Sequence, residues 1–180
     1  MPAANAVTDD VTAESPLRLP IGRTVLVGVG AVAVAGLLGG LLWHILAATP
    51  TYTIGDDRGA LITERGLSQV FATDIWYVII SLALALLLGG VFWWLFGRLG
   101  WMGVLLALAG SFLAAIVCWQ FGYLLGPNGF AERVSRASPG DHVPMDLTLH
   151  APIVVLVWPF ATGVVILVAA LVDLVRRRHD

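Results

Sequence analysis

Residues 75–97 have the sequence IWYVIISLALALLLGGVFWWLFG, a run of 23 residues without a charged side chain, bounded by Asp74 and Arg98. A helix rises about 1.5 Å per residue, so this run is long enough to cross a hydrocarbon core of about 30 Å. A backbone in lipid must satisfy its own hydrogen bonds, which favours a helix for a run this apolar. The run therefore predicts a transmembrane helix.

Three further charge-free stretches, at residues 24–48, 99–125 and 151–172, repeat this pattern. Over the whole chain 58% of the residues are hydrophobic and 12% are charged, with a mean hydropathy of +0.88, values that do not fit a soluble domain. We therefore predict an all-α membrane protein, a four-helix transmembrane bundle in residues 22–180. Residues 1–21 are too polar to form a core, and we expect a flexible cytoplasmic tail there.

The arginines predict the orientation in the membrane, because positive side chains are retained on the cytoplasmic side. With four spans both termini share one side, which carries six arginines, while the other side carries four. We therefore expect a multi-pass protein of the inner (plasma) membrane with both termini in the cytoplasm. Arg176, Arg177 and Arg178 would anchor the last helix to anionic headgroups on the inner side. The six are Arg18, Arg23, Arg98, Arg176, Arg177 and Arg178; the four are Arg58, Arg65, Arg133 and Arg136.

The seven tryptophans lie near the predicted ends of the spans, which favours an interfacial belt of amphipathic rings. Four of them fall at outer ends and three flank the inner turn at Arg98. In that order they are Trp43, Trp76, Trp119 and Trp158, then Trp93, Trp94 and Trp101.

The outer loops, residues 49–74 and 126–150, are long for helix connections and predict a small extracytoplasmic cap that contains β-strands. We expect a hairpin in the first loop and a short helix, a turn and a third strand in the second. The predicted segments are strands at 51–54 and 60–63 around a turn at 55–59, a helix from Asn128 as its cap through Ala137, a turn at 138–141 and a strand at 145–150.

Small residues spaced four apart indicate close helix packing, since helices in lipid associate through backbone approach. We predict that such ladders on the second and third spans face each other across the turn at 97–100. Gly36 and Gly40 on the first span would be available to a helix of a partner, and Gln120 would form an interhelical hydrogen bond. The ladders are Ser81, Ala85 and Gly89 on the second span and Gly103, Ala107, Ser111 and Ala115 on the third.

No pattern of residues predicts a catalytic, cofactor or metal site. The single cysteine, Cys118, lies in an apolar run and has no partner in the chain for a disulfide or a metal site. His142 and His150 could be combined with Asp141 and Asp146, but their spacing matches no ligand motif, and histidines in polar loops are usually just solvated. Without such a pattern we expect no enzyme activity. We also expect no nucleic-acid partner, because the basic residues form no stripe.

Four short segments resemble an actinobacterial family of small four-helix membrane proteins of unknown function. Within that family the chain resembles a mycobacterial accessory subunit of the mammalian-cell-entry (Mce) lipid transporter, which imports long-chain fatty acids. The resemblance implies a non-catalytic subunit that binds lipids and larger Mce and permease subunits, and it implies no catalytic residue. Two alternatives stay open, a small independent transporter or channel and a lipid-modifying enzyme that uses the outer histidines. The segments are residues 55–59 (GDDRG), 121–127 (FGYLLGP), 144–147 (PMDL) and 158–159 (WP).

Overall fold

The computed structural model describes residues 21–47, 49–55, 60–61 and 64–179. Residues 1–20 of the predicted tail, residues 56–59 of the predicted turn and the end of the second predicted strand lie outside the described residues. Four helices are long and apolar enough to cross a membrane, as predicted. They are α1 (Ile21–Leu46), α2 (Glu64–Phe96), α3 (Trp101–Leu125) and α5 (Val157–His179). A short helix α4 (Phe130–Arg136) and a 3-10 helix at Pro152–Leu156 lie between α3 and α5.

The second helix is longer than the predicted span, because α2 begins at Glu64 and not at Ile75. Its 33 residues correspond to about 50 Å of helix, more than a hydrocarbon core of about 30 Å requires. The first turns contain Glu64 and Arg65, which a search for charge-free residues excludes. Such a search therefore finds the apolar part of the helix and misses its charged start.

The fourth helix likewise extends past the predicted end at Val172, to His179. The Arg177 guanidinium donates to the Asp173 carboxylate one turn earlier, with Nη2 and Oδ2 2.9 Å apart. Arg176, Arg177 and Arg178 are all exposed. We call this end the turn side, because residues 97–100 connect α2 to α3 there, and we call the opposite end the cap side.

The helices pair differently from the expectation for α2 and α3. The most extensive contacts are those of α1 with α3 and of α2 with α5. A Cβ added at Gly89 would lie 2.9 Å from the Val165 Cβ of α5, and the Ala85 carbonyl accepts a hydrogen bond from the Thr162 hydroxyl, also on α5. The small residues of α2 therefore face α5, and the prediction that they face the ladder of α3 is wrong.

Two members of the α3 ladder instead contact large residues of α2. Gly103 lies against the backbone of Phe96, and the Tyr77 hydroxyl donates to the Ala115 carbonyl over 2.9 Å. Ala107 and Ser111 are buried on the same helix. Large residues of one helix thus meet small residues of the next, which gives close packing without two matched ladders.

Gly36 and Gly40 also differ from their prediction, because they face α3 of the same chain and not a partner. A Cβ at Gly36 would lie 2.7 Å from the Val117 Cβ, and one at Gly40 would lie 2.7 Å from the Cys118 carbonyl oxygen. No side chain fits in that space. The contact between α1 and α3 therefore requires glycine at both positions.

The cap contains a three-stranded antiparallel sheet in the order β2–β1–β3. The strands are β1 (Thr51–Ile54), β2 (Ala60–Leu61) and β3 (His142–Pro144), with Thr53 opposite Leu61 and Tyr52 opposite Val143. The second loop does add a strand to the predicted hairpin, but at residues 142–144. The predicted strand at 145–150 is absent; its alternating Leu147 and Leu149 are buried against the helix core instead.

Candidate functional site at the cap junction

The cap meets the bundle at Asp74, a carboxylate on α2 that is 8% exposed. It accepts hydrogen bonds from the backbone N–H groups of His150, at 3.1 Å, and Ala151, at 2.9 Å. These N–H groups precede the 3-10 helix that leads into α5, where the first amides of a helix have no partner within it. Hydrogen bonds to a carboxylate are stronger than neutral ones, so Asp74 fixes the start of the fourth span on α2. The His150 Nδ1 lies 3.7 Å from the same carboxylate.

Two aromatic side chains join three helices just below this carboxylate. The fully buried Trp43 of α1 donates from Nε1 to the Thr73 carbonyl of α2 over 2.9 Å. Its ring meets that of Tyr77 edge-on, with centroids 5.4 Å apart, and Tyr77 donates onward to α3. The buried indole tip thus has the partner that a polar group needs away from water.

Trp43 and Trp158 are both fully buried, so the expectation that they belong to an interfacial belt is wrong. They lie near span ends because the junction lies there. Trp94 and Trp101 are 74% and 71% exposed on the turn side, and their place in a belt stays a prediction.

A buried polar cluster surrounds the Tyr77 hydroxyl, formed with Ser81, Cys118 and Trp158. Within the described residues, the Ser81 Oγ and the Trp158 Nε1 have no hydrogen-bond partner. The sequence pattern predicts Ser81 in a packing ladder and Trp158 in the belt, and it does not predict the cluster. No spacing connects residues on three helices, and only the assembled bundle brings them together.

The cap is held by a second carboxylate, that of Asp146. It accepts a hydrogen bond from the Phe130 N–H, with Oδ1 at 3.1 Å, and pairs with the Arg133 Nη2 at 2.8 Å. Asp146 therefore caps α4 from a distant loop, and the prediction that Asn128 caps this helix is wrong. The residue before α4 is Gly129, with φ +76°, and its lack of a side chain leaves the Phe130 N–H to Asp146.

Two glycines at the end of α3 allow the cap and α1 to approach closely. A Cβ at Gly122 would collide with the Trp43 ring, and one at Gly126 would collide with the Leu147 Cβ. Of the segments that carry the family resemblance, residues 121–127, 144–147 and 158–159 all contribute to this junction.

Other residues singled out in the sequence do not join the junction. Gln120 is exposed on α3, which contradicts its expected role between helices; a position one turn from the helix end reaches the surface. The His142 Nδ1 lies 3.1 Å from the Thr53 hydroxyl, apart from His150 and its carboxylate. Asp141 accepts from the Ser138 N–H at 2.8 Å in the predicted turn. In the part of the chain that the structure describes, no three metal-ligating side chains come together.

The fold and the junction define a class, that of multi-pass membrane proteins with four apolar helices and a small folded cap on one side. No protein-family model, no curated protein and no solved structure matches the chain.

Proposed function

We propose that the protein is a non-catalytic accessory subunit of a multi-subunit lipid-transport complex of the Mce type in the inner membrane. In this proposal both termini lie in the cytoplasm, and the cap lies outside and contacts the larger Mce and permease subunits. The choice of complex rests on the family resemblance. The accessory role rests on the chemistry of the junction.

The use of the two carboxylates at the junction is the observation that carries the accessory role. Asp74 and Asp146 both accept backbone N–H groups at helix starts, and Asp146 also pairs with Arg133. Carboxylates engaged in this way hold helix starts in place and so order the surface of the cap. A cap fixed on its bundle presents a preorganised surface, which lowers the entropic cost of binding a partner.

An independent transporter is supported less well. That function requires a water-filled path near Gln120, but the Gln120 side chain is exposed on α3. The cavity of about 220 Å³ lies elsewhere, on the turn side, and is lined by residues such as Gly103 and Ile166. A lipid-modifying enzyme requires the outer histidines to converge. His142 and His150 instead contact different partners, Thr53 and Asp74.

Affinity purification from native membranes in mild detergent, followed by mass spectrometry, tests the proposal. We expect Mce and permease subunits to be enriched with the tagged protein. Recovery of the tagged protein alone, in detergent that keeps those subunits together, would contradict the accessory role.

Two cap variants provide the matched comparison. Asp146→Ala loosens α4, and we expect it to reduce recovery of the larger subunits. Glu132→Ala removes only an exposed ion pair with Arg136, so recovery should match that of the unmodified protein. Equal recovery with both variants would show that cap order has no part in the association.

A further inference from the structure

The turn side of the bundle contains an apolar groove between α2, α3 and α5 with a volume of about 220 Å³. Its deeper walls are buried, whereas Gly100 and Ala170 at its rim are exposed. The lining residues are Phe92, Trp93, Phe96, Gly97, Gly100, Gly103, Val104, Ile166 and Ala170. A groove that is buried at one end and open at the other admits a chain from the rim.

The lining chemistry selects a hydrocarbon occupant. No lining side chain carries a charge, and the only polar lining atoms besides the backbone belong to the indole of Trp93. Apolar cavities exclude water and take up hydrocarbon; a cavity of about 150 Å³ binds benzene. The groove therefore has room for the end of an acyl chain.

The positive charge around the rim of the groove favours a lipid with an anionic headgroup. Arg98 lies between the lining residues Gly97 and Gly100, and Arg177 lies two turns beyond the lining residue Ala170 on the same face of α5. Among the described residues at this end, five arginines compare with one acid, Asp173. The arginines are Arg23, Arg98, Arg176, Arg177 and Arg178. An anionic headgroup complements this surface.

The exposed indoles beside the groove indicate its depth in the membrane. Trp94 and Trp101 are both highly exposed, on either side of the turn. Exposed indoles in membrane proteins lie at headgroup level. The groove then begins at the headgroups and extends toward the acyl chains, which is the direction a bound phospholipid requires.

We propose that this groove is a binding site for an anionic phospholipid, with one acyl chain between Phe92, Gly103 and Ile166 and the phosphate beside Arg98. The site belongs to this chain alone and does not depend on the accessory role. It gives the turn side a lipid ligand and leaves the cap side free for protein contacts.

Native mass spectrometry of the full chain tests the site, with equal amounts of phosphatidylglycerol and phosphatidylcholine that have the same acyl chains. We expect the protein to retain phosphatidylglycerol preferentially. Ala170→Phe fills the rim and should lower that retention more than about tenfold, the effect of losing two buried methylene groups. Ala83→Phe is the matched control, because Ala83 is exposed on α2 away from the groove.

Arg98→Gln tests the headgroup contact without altering the groove. We expect about a fivefold loss of phosphatidylglycerol over phosphatidylcholine, the contribution of one arginine near an anionic headgroup. Arg23→Gln removes an arginine of α1 at the same end of the bundle. Because α1 does not line the groove, this variant should have a smaller effect.

Three results would overturn the proposal. The first is equal retention of the two phospholipids, and the second is the same result for Ala170→Phe and Ala83→Phe. The third is complete displacement of phosphatidylglycerol by a free fatty acid of the same chain length, which would assign the groove to a carboxylate ligand. Should Ala170→Phe fail to fold, Arg98→Gln at an exposed position decides the matter by itself.

Discussion

The cap side and the turn side of this bundle differ in how their polar groups are used. On the cap side, the carboxylate of Asp74, the indole of Trp43 and the hydroxyl of Tyr77 each have a backbone partner on another element. On the turn side, the arginines are exposed and an apolar groove is open at its rim. One end is thus closed by internal hydrogen bonds, and the other presents charge and apolar surface to its surroundings. The difference teaches that internal order is concentrated at one end of the bundle and exposed charge at the other.

Removing the junction carboxylate tests this contrast with the largest expected effect. In Asp74→Ala two N–H groups at the start of the fourth span lose a charged acceptor, which costs about 3 kcal/mol of unfolding free energy. Unfolding by detergent titration in bicelles measures that cost. On the turn side, Asp173→Ala breaks an ion pair whose side chains are 49% and 77% exposed, and should cost less than about 0.5 kcal/mol. Equal losses for the two variants would remove the distinction between the ends.

The contact of α1 with α3 gives the next largest effect. In Gly40→Ala the new methyl group would lie 2.7 Å from the Cys118 carbonyl oxygen and 2.9 Å from the Gly122 nitrogen, so α1 must move away. Overpacking of this kind costs about 2 kcal/mol, measurable in the same titration. Gly30→Ala is the control on the same helix, because nothing lies within 4 Å of its added Cβ. We expect Gly30→Ala to be neutral or to stabilise the helix by up to about 1 kcal/mol. A stable Gly40→Ala variant would return this face of α1 to a role between subunits.

The smallest of these effects concerns the cap itself. Asp146→Ala removes the side-chain cap of α4 together with its ion pair to Arg133, and loss of such a cap costs about 1 kcal/mol. Hydrogen exchange should then be faster at the amides of residues 130–136, while the amides within the spans keep their protection. Faster exchange throughout α2 and α5 would mean that the cap and the bundle unfold as one unit.

The sequence predicted the features that depend on composition and missed those that depend on tertiary contacts. Charge-free runs identify spans because lipid excludes charge, so all four helices were predictable, as was β1. The start of α2 was not, because Glu64 and Arg65 lie in a helical turn beyond that constraint. In residues 145–150 apolar and polar side chains alternate because Leu147 and Leu149 face the core. A β-strand has the same alternation, so the sequence predicted a strand there.

The junction was less predictable than the spans for a similar reason. Trp43 and Trp158 occur at span ends, where buried and interfacial indoles give the same sequence pattern. Gly36 and Gly40 indicate close approach of another helix but not which helix. Asp74 and Asp146 act on residues 76 and 16 positions away, at separations that no local motif records.

Site-specific photo-crosslinking in living cells tests the accessory role most directly. A photoreactive residue at Ser135, exposed on the cap, is compared with one at Trp94, exposed on the turn side. We expect the cap position to crosslink to a larger subunit of the transport complex and the turn-side position to crosslink chiefly to lipid. A cap position that reaches no other protein, in cells where the complex is assembled, would contradict it.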